Sequence, residues 1–517
     1  MRLNSQYICI GLLVFAALVT LTELRISLHD RGGTKGQTSK SPHQVVPDSY
    51  ASDRKPSPGP ISSQTPWPQS SISRPLTPTK ECPSPPVQSP CPSTPIFSPA
   101  DKETSSSPKS PIIDGCQDLP NNDDVLVVMK TGATEAAAKV PTHLLTTLRC
   151  TRNYLLFSDL DQDIGPYHLH DVLANVKQEM ISGHKDFDLY RKLQDFQKKG
   201  DDVGPLNGQA AWDLDKYKFL HMLQETYRMR PAAQWYVFIE ADTYLSWHGL
   251  LEWVAKLDPS KPYYLGAPVS IGGQSFAHGG SGFILSQGAM NKTVGQDEGL
   301  AARYDEAIAH ECCGDLVLAK ALQETSDIQV MRSWPMINGE TPFTQPFDHL
   351  QWCHPVVTFH HMSSEEIHRV WKFEAQRNQS AGPLLLSEIF DHFVQPIIAP
   401  TREDWDNLSH DLIYRSASAI AGEEATYAGK SYDTLTPPER EASFSFEHCR
   451  AACIDNPECK QFKFQNQTCS LARAISRGTA SAPKPADQGG RVMSGWMVER
   501  VEAFKQRMGP CEPAWIL

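Results

Sequence analysis

Short apolar runs bounded by polar residues recur through the middle of the chain, and between them apolar positions fall at three- and four-residue steps. Residues 125–129 (VLVVM), 154–157 (YLLF), 235–239 (WYVFI) and 263–267 read as buried strands, since runs of this length flanked by turn residues suit a sheet covered on both faces. Leu214, Tyr217, Leu220, Leu223 and Tyr227 predict a helix over 213–228 with one apolar face, stopped by Pro231. Helices are also predicted over 247–256 and 314–323. Strands alternating with helices predict a largely parallel α/β sheet with helices on both faces.

The ends of the chain follow other patterns. After a tail over 1–6, an almost unbroken apolar run from Tyr7 to Leu21 is a targeting segment, read over 7–24 as a transmembrane signal-anchor of short span. A cleaved signal peptide, with Ala16, Ala17 and Thr20 as its small residues, is the competing reading and would give a secreted protein. Between Pro42 and Pro111 lie 18 of the 40 prolines and 16 serines, too little apolar surface to offset ordering, so 25–114 reads as an extended stalk. Its Cys82 and Cys91 are placed to join two chains as a homodimer. A globular domain is expected over 115–400 and a polar linker over 401–440. A small cysteine-rich domain over 441–517 holds Cys449, Cys453, Cys459 and Cys469. Their spacing fits no common zinc finger, which favours two disulfides, with all three pairings open. Sequons begin at Asn291, Asn378, Asn407 and Asn466, all beyond the apolar segment. With the cysteines they place the bulk of the chain in a lumen, in a type II arrangement expected in the Golgi membrane.

The size, 517 residues, excludes a single small domain, and a net charge of −12 excludes general affinity for nucleic acid. An anionic ligand must therefore be held locally. Glu240 and Asp242 close the 235–239 strand, and carboxylates at the carboxyl end of such a strand sit where α/β sheets bind ligands. At i and i+2 they share a side, so one is expected to bind a hard divalent cation with support from the other. The run Gly279-Gly280-Ser281-Gly282 precedes the apolar residues 283–285 and permits close backbone approach. Asp315 opens a helix, as a general base or a plain cap. Thr358, Phe359 and His360 follow the apolar Val356 and Val357, which places His360 at a strand end, as a metal ligand or a structural histidine. A rival metallohydrolase site would use His354, His360, His361, Glu365 and Glu366, although no HExxH occurs.

In order, Leu155 to Asp159, Phe238 to Tyr244, Gly279 to Phe283, Gly314-Asp315-Leu316 and Phe359-His360 resemble the Fringe and core 1 β1,3-galactosyltransferase group, the inverting β1,3-glycosyltransferases of family 31, and especially its filamentous-fungal members. The resemblance spans about 120–365 and implies a GT-A (Rossmann-like) fold, a UDP-sugar donor, a glycan or glycoprotein acceptor and manganese. By the same resemblance Asp242 and His360 bind the metal, Asp315 is the base and Asp159 lies near the uridine. Glu240, Gly280 and Gly282 complete the donor site. Glu240 stands where the family generally has Asp, and Ala241 where a second acid is common, which admits an inactive carbohydrate- or protein-binding membrane protein as the alternative. The cysteine set with Phe462, Phe464 and Ser494-Gly495-Trp496 is similar to a PAN/apple module, a disulfide-stapled α+β domain.

Overall fold

The computed structural model describes residue 116 and residues 119–517, apart from 378–381, 418, 420–423 and 486–488. The predicted anchor, the stalk with Cys82 and Cys91, and the sequon at Asn378 lie outside the described residues. Among the described residues no helix is long and apolar enough to cross a membrane.

Eight strands form the main sheet, in the order Met331–Arg332, Tyr264–Gly266, Phe283–Ser286, Trp235–Glu240, Val125–Lys130, Tyr154–Ser158, Tyr167–Asp171 and Gln162–Ile164. Val125–Lys130 lies at the centre, parallel to Tyr154–Ser158 on one side and Trp235–Glu240 on the other. Successive side chains of a strand face opposite ways. Val125, Val127 and Met129 thus enter one apolar core with the helices Ala133–Leu145 and Trp247–Val254. Leu126 and Val128 enter the other, beneath Lys218–Met229, Leu300–Ala309 and Gly314–Ser326. Two covered faces explain why the strands read as continuous apolar runs.

The sheet is mixed rather than largely parallel. Phe283–Ser286 runs antiparallel to both of its neighbours. The chain reaches it from Tyr264–Gly266 through the hairpin Pro268–Ile271/Gln274–Ala277 instead of a helix, and only a long crossover returns a strand in parallel. The helix expected over 213–228 is broken into Gln209–Asp215 and Lys218–Met229. At the break the Lys216 carbonyl packs on Gly314 so closely that a β-carbon there would lie 2.2 Å from it.

The remainder builds a six-stranded antiparallel sheet crossed by the helix Phe446–Asp455. Residues 401–440, expected as a linker, instead supply its strands Arg402–Glu403, Leu412–Arg415 and Thr426–Tyr427. These pieces are too short to carry a visible alternation, so this unit starts about forty residues before the expected boundary at 441. Cys449 bonds Cys469 and Cys453 bonds Cys459, all four sulfurs buried, which selects one of the three pairings. Trp352, Phe390, Trp405, Trp496 and Phe504 share one apolar core, and Cys353–Cys511 links its two ends. Asn407 is fully buried and donates Nδ2 to the Phe462 and Gly495 carbonyls (3.1 and 3.3 Å), so its sequon is closed to glycosylation in the folded protein. Asn291 and Asn466 are exposed.

Candidate active site

At the carboxyl end of Trp235–Glu240 the chain turns sharply: the Thr243 N–H donates to the Glu240 carbonyl (3.0 Å) and the Ala241 N–H to the Lys130 carbonyl (3.1 Å). The strand Tyr244–Leu245 then pairs antiparallel with Thr358–Phe359, Tyr244 opposite Phe359. Residues just before the first strand and just after the second must meet. His360 Nε2 lies 3.3 Å from Asp242 Oδ1, and the Met362 N–H donates to the Asp242 carbonyl at 2.9 Å. His361 adopts a left-handed backbone, φ +60°, uncommon for a residue with a β-carbon. Consecutive strand residues would point apart, yet here the two imidazoles lie side by side, tilted by 34°, with centroids 3.9 Å apart. Asp242, His360 and His361 each offer a ligand atom within 4.8 Å of the others.

The glycine run makes this approach possible. A β-carbon on Gly280 would lie 2.1 Å from His360 Cε1, and Gly282 takes φ +83°. The Thr243 hydroxyl donates to the Gly280 carbonyl (2.7 Å), locking the acidic turn to the same run. Gly280→Ala must displace the His360 ring, and we expect metal affinity to fall by roughly 10- to 100-fold, the range seen when the support of a ligand is lost. Metal titration of the folded variant, checked by circular dichroism, measures this.

The donor set fits a divalent cation of the first transition row. One carboxylate and two imidazoles are the ligands such ions take, and His360 Nδ1 is buried with no hydrogen-bond partner among the described residues. Burial alone would raise the Asp242 pKa, but the His360 hydrogen bond and the charges of His360 and Lys139 hold it well below the usual carboxylate range. It is therefore ionised at neutral pH. Lys139 Nζ sits 3.3 Å from Asp242 Oδ2 and 2.8 Å from Glu135 Oε2.

Asp315, the first turn of Gly314–Ser326, faces the same glycine run. It accepts the Gly279 N–H (2.8 Å) and the Leu316 N–H (2.9 Å). Gly279 is adjacent to Gly280, so the base candidate and the histidine touch consecutive residues of one segment. Burial pushes the Asp315 carboxyl up to about 6, against the pull of its two N–H donors. A base acts when deprotonated, so kcat/KM is expected to rise with pH through about 6 and then level, the limb reporting the free enzyme. Initial rates from pH 5 to 8 in wild type and Asp315→Asn check this, since the limb should vanish in the variant.

Glu240 does not join Asp242. The register that sets Lys130 beside Glu240 gives its carboxylate to the Lys130 ammonium at 3.0 Å. This corrects the expectation that both acids serve one cation. Lys130 also pairs with Asp215. Burial disfavours its charge, but Asp215 and Glu240 outweigh that and its pKa is raised. Asp159 is likewise committed within the fold: it accepts the Ala133 N–H (2.6 Å), capping a helix whose own N-cap, Gly132, has no side chain, and it pairs with Lys218 at 3.0 Å. Lys218 also donates to the Thr131 carbonyl at 2.9 Å. Lys130, Lys139, Asp215 and Lys218 thus enter the site without having been singled out by pattern as part of it, and His361, read only as a ligand of the rival metallohydrolase site, joins His360 and Asp242.

A mixed α/β sheet with an acid and a distant histidine meeting at the end of its central strands, beside a buried carboxylate, is the arrangement of a GT-A-like domain. Residues 121–335 match the family model described as Fringe-like, and the domain they form is a Fringe-like one. His360 and His361 lie beyond the matched segment and reach the site through the Thr358–Phe359 pairing. No curated protein matches the chain.

Proposed function

We propose that the protein is an inverting, metal-dependent glycosyltransferase that moves a hexose, galactose by first choice, from a UDP-sugar to a hydroxyl of a glycan or glycoprotein in β1,3 linkage. The observation that carries this reading is the convergence of Asp242, His360 and Asp315 on the Gly279–Gly280 backbone. Asp242, His360 and His361 would hold a divalent cation, manganese by preference, which supplies positive charge to the departing diphosphate. Asp315 takes the proton from the acceptor hydroxyl, leaving the oxygen free to attack the anomeric carbon from the face opposite the nucleotide. One base and no covalent intermediate give inversion. Lys139, paired with Asp242 and Glu135, would supply a further positive charge for phosphate oxygens beside the metal site. Glu240, held by Lys130, shapes the donor pocket without touching the metal.

The lumenal orientation in the Golgi, the N-terminal anchor, pairing of chains through Cys82 and Cys91, and an accessory PAN/apple-like role for the C-terminal unit in holding the acceptor belong to the same proposal. The exposed sequons at Asn291 and Asn466 and the five disulfides among the described residues support an oxidising lumen. The test is a panel of UDP-sugars assayed by UDP release with and without manganese, followed by linkage analysis of the product. Manganese-dependent release with one hexose donor is expected. A folded protein that releases UDP from none of them, with acceptor glycans present, would sink the reading.

A further inference from the structure

Cys312 and Cys313 form a disulfide between neighbouring residues, immediately before Gly314 and Asp315. The other four bridges among the described residues span 34, 158, 20 and 6 residues. A cross-link limits the unfolded chain more the longer the loop it closes, and this one encloses no intervening residue. Its effect must therefore be local. The turn it sits in is tied from several sides: Gly314 has no room for a β-carbon against the Lys216 carbonyl, Lys216 Nζ reaches the carbonyls of Ala309 and Glu311 at 3.4 Å each, and Glu311 pairs with Lys320. Cys312 is the one exposed half-cystine among the described residues, whereas Cys313 packs against the helical core. Cys313 is also the N-cap of the thirteen-residue helix Gly314–Ser326.

We propose that Cys312–Cys313 is a thiol–disulfide exchange site for a soluble or protein dithiol, and that the intact bond positions Asp315 for proton transfer. This rests on the sugar-transfer reading of Asp315. A thiolate of the dithiol attacks the exposed Cys312 Sγ, and the bond to Cys313 breaks with its electron pair leaving on Cys313 Sγ. The helix N–H groups at the N-cap favour that leaving thiolate. The second thiolate of the dithiol then attacks its partner sulfur in the mixed disulfide, expels the Cys312 thiolate and closes the reductant's own disulfide. Two electrons pass from dithiol to protein, and the two protons of the dithiol end on the cysteines. The freed turn no longer fixes the start of the helix, so the carboxylate drifts from its place on the Gly279 N–H. A shift near 1 Å in a catalytic group costs about a hundredfold in rate, so a fall in kcat of roughly ten- to a hundredfold is expected.

The experiment uses the full chain with its free thiols first blocked. Dithiothreitol is raised in steps, new thiols are alkylated and mapped by mass spectrometry, and UDP release is followed in parallel with the active donor. The expected result is labelling of Cys312 and Cys313 before every other pair, a matching fall in kcat with the donor KM within twofold, and recovery on reoxidation. The double variant Cys312→Ser/Cys313→Ser should hold the low kcat and ignore reductant; should it fail to fold, the wild-type titration gives the same comparison. Labelling of this pair only with the buried Cys449–Cys469 and Cys453–Cys459 bridges, or an unchanged kcat once it is reduced, would overturn the proposal. A wild-type protein that transfers no sugar overturns the coupling to Asp315 together with the transferase reading, and the order of labelling still decides the exchange site.

Discussion

Asp315→Asn is expected to lower kcat for sugar transfer by roughly two to four decades, the contribution of a positioned general base, while leaving donor KM within a few-fold. The amide keeps the size of the carboxyl but cannot take the proton. It also has one acceptor oxygen where Asp315 uses two, one for the Gly279 N–H and one for the Leu316 N–H. One buried donor is left unpaired, at a cost of about 1–3 kcal/mol. Against this, the variant no longer confines a charge that burial disfavours at neutral pH, as the raised wild-type pKa records. The net change in stability should be small, and a thermal melt beside the rate measurement separates loss of the base from loss of the fold. An Asn variant that turns over at the wild-type rate would remove Asp315 from the chemistry.

Asp242→Asn is expected to weaken divalent-metal binding by a hundredfold or more, beyond the cost of losing only an outer-shell partner. Two effects act together. The variant loses the one anionic ligand of the Asp242, His360, His361 set, and it leaves the Lys139 ammonium beside the cation with only Glu135 to balance it. Like charge at that distance repels the ion that the carboxylate attracts. Donor turnover should fall in parallel and respond only to very high manganese. Calorimetric titration of wild type and variant, with and without UDP, checks both parts. Equal affinities would place the metal elsewhere.

The two ends of this site were legible for a simple reason: WYVFI and VVTF are apolar enough to be strands, and polar residues that close strands gather at one edge of an α/β sheet. That pattern places Asp242 and His360 at strand ends, and the resemblance pairs them around a metal. Glu240 did not, because its fate depends on register. Lys130 lies 110 residues earlier and reads as the polar end of a strand until the parallel pairing sets it beside Glu240. His361 was read only into the rival metallohydrolase site, since period-two alternation would send it away from His360, and φ +60° brings it back. The direction of Phe283–Ser286 turns on a hairpin whose strands are four residues each, and the sheet inside 401–440 on strands of two to four residues. Segments so short carry no readable period.

Pulsed electron paramagnetic resonance of manganese bound to the full chain with UDP examines the central geometry directly, because nitrogen coupled to the ion reveals ligated imidazole. Coupling to two histidine nitrogens that falls to one, that of His361, in His360→Ala is the expected result. Bound manganese with no nitrogen coupling, or with coupling unchanged in that variant, would contradict the meeting of Asp242 and His360 around one ion.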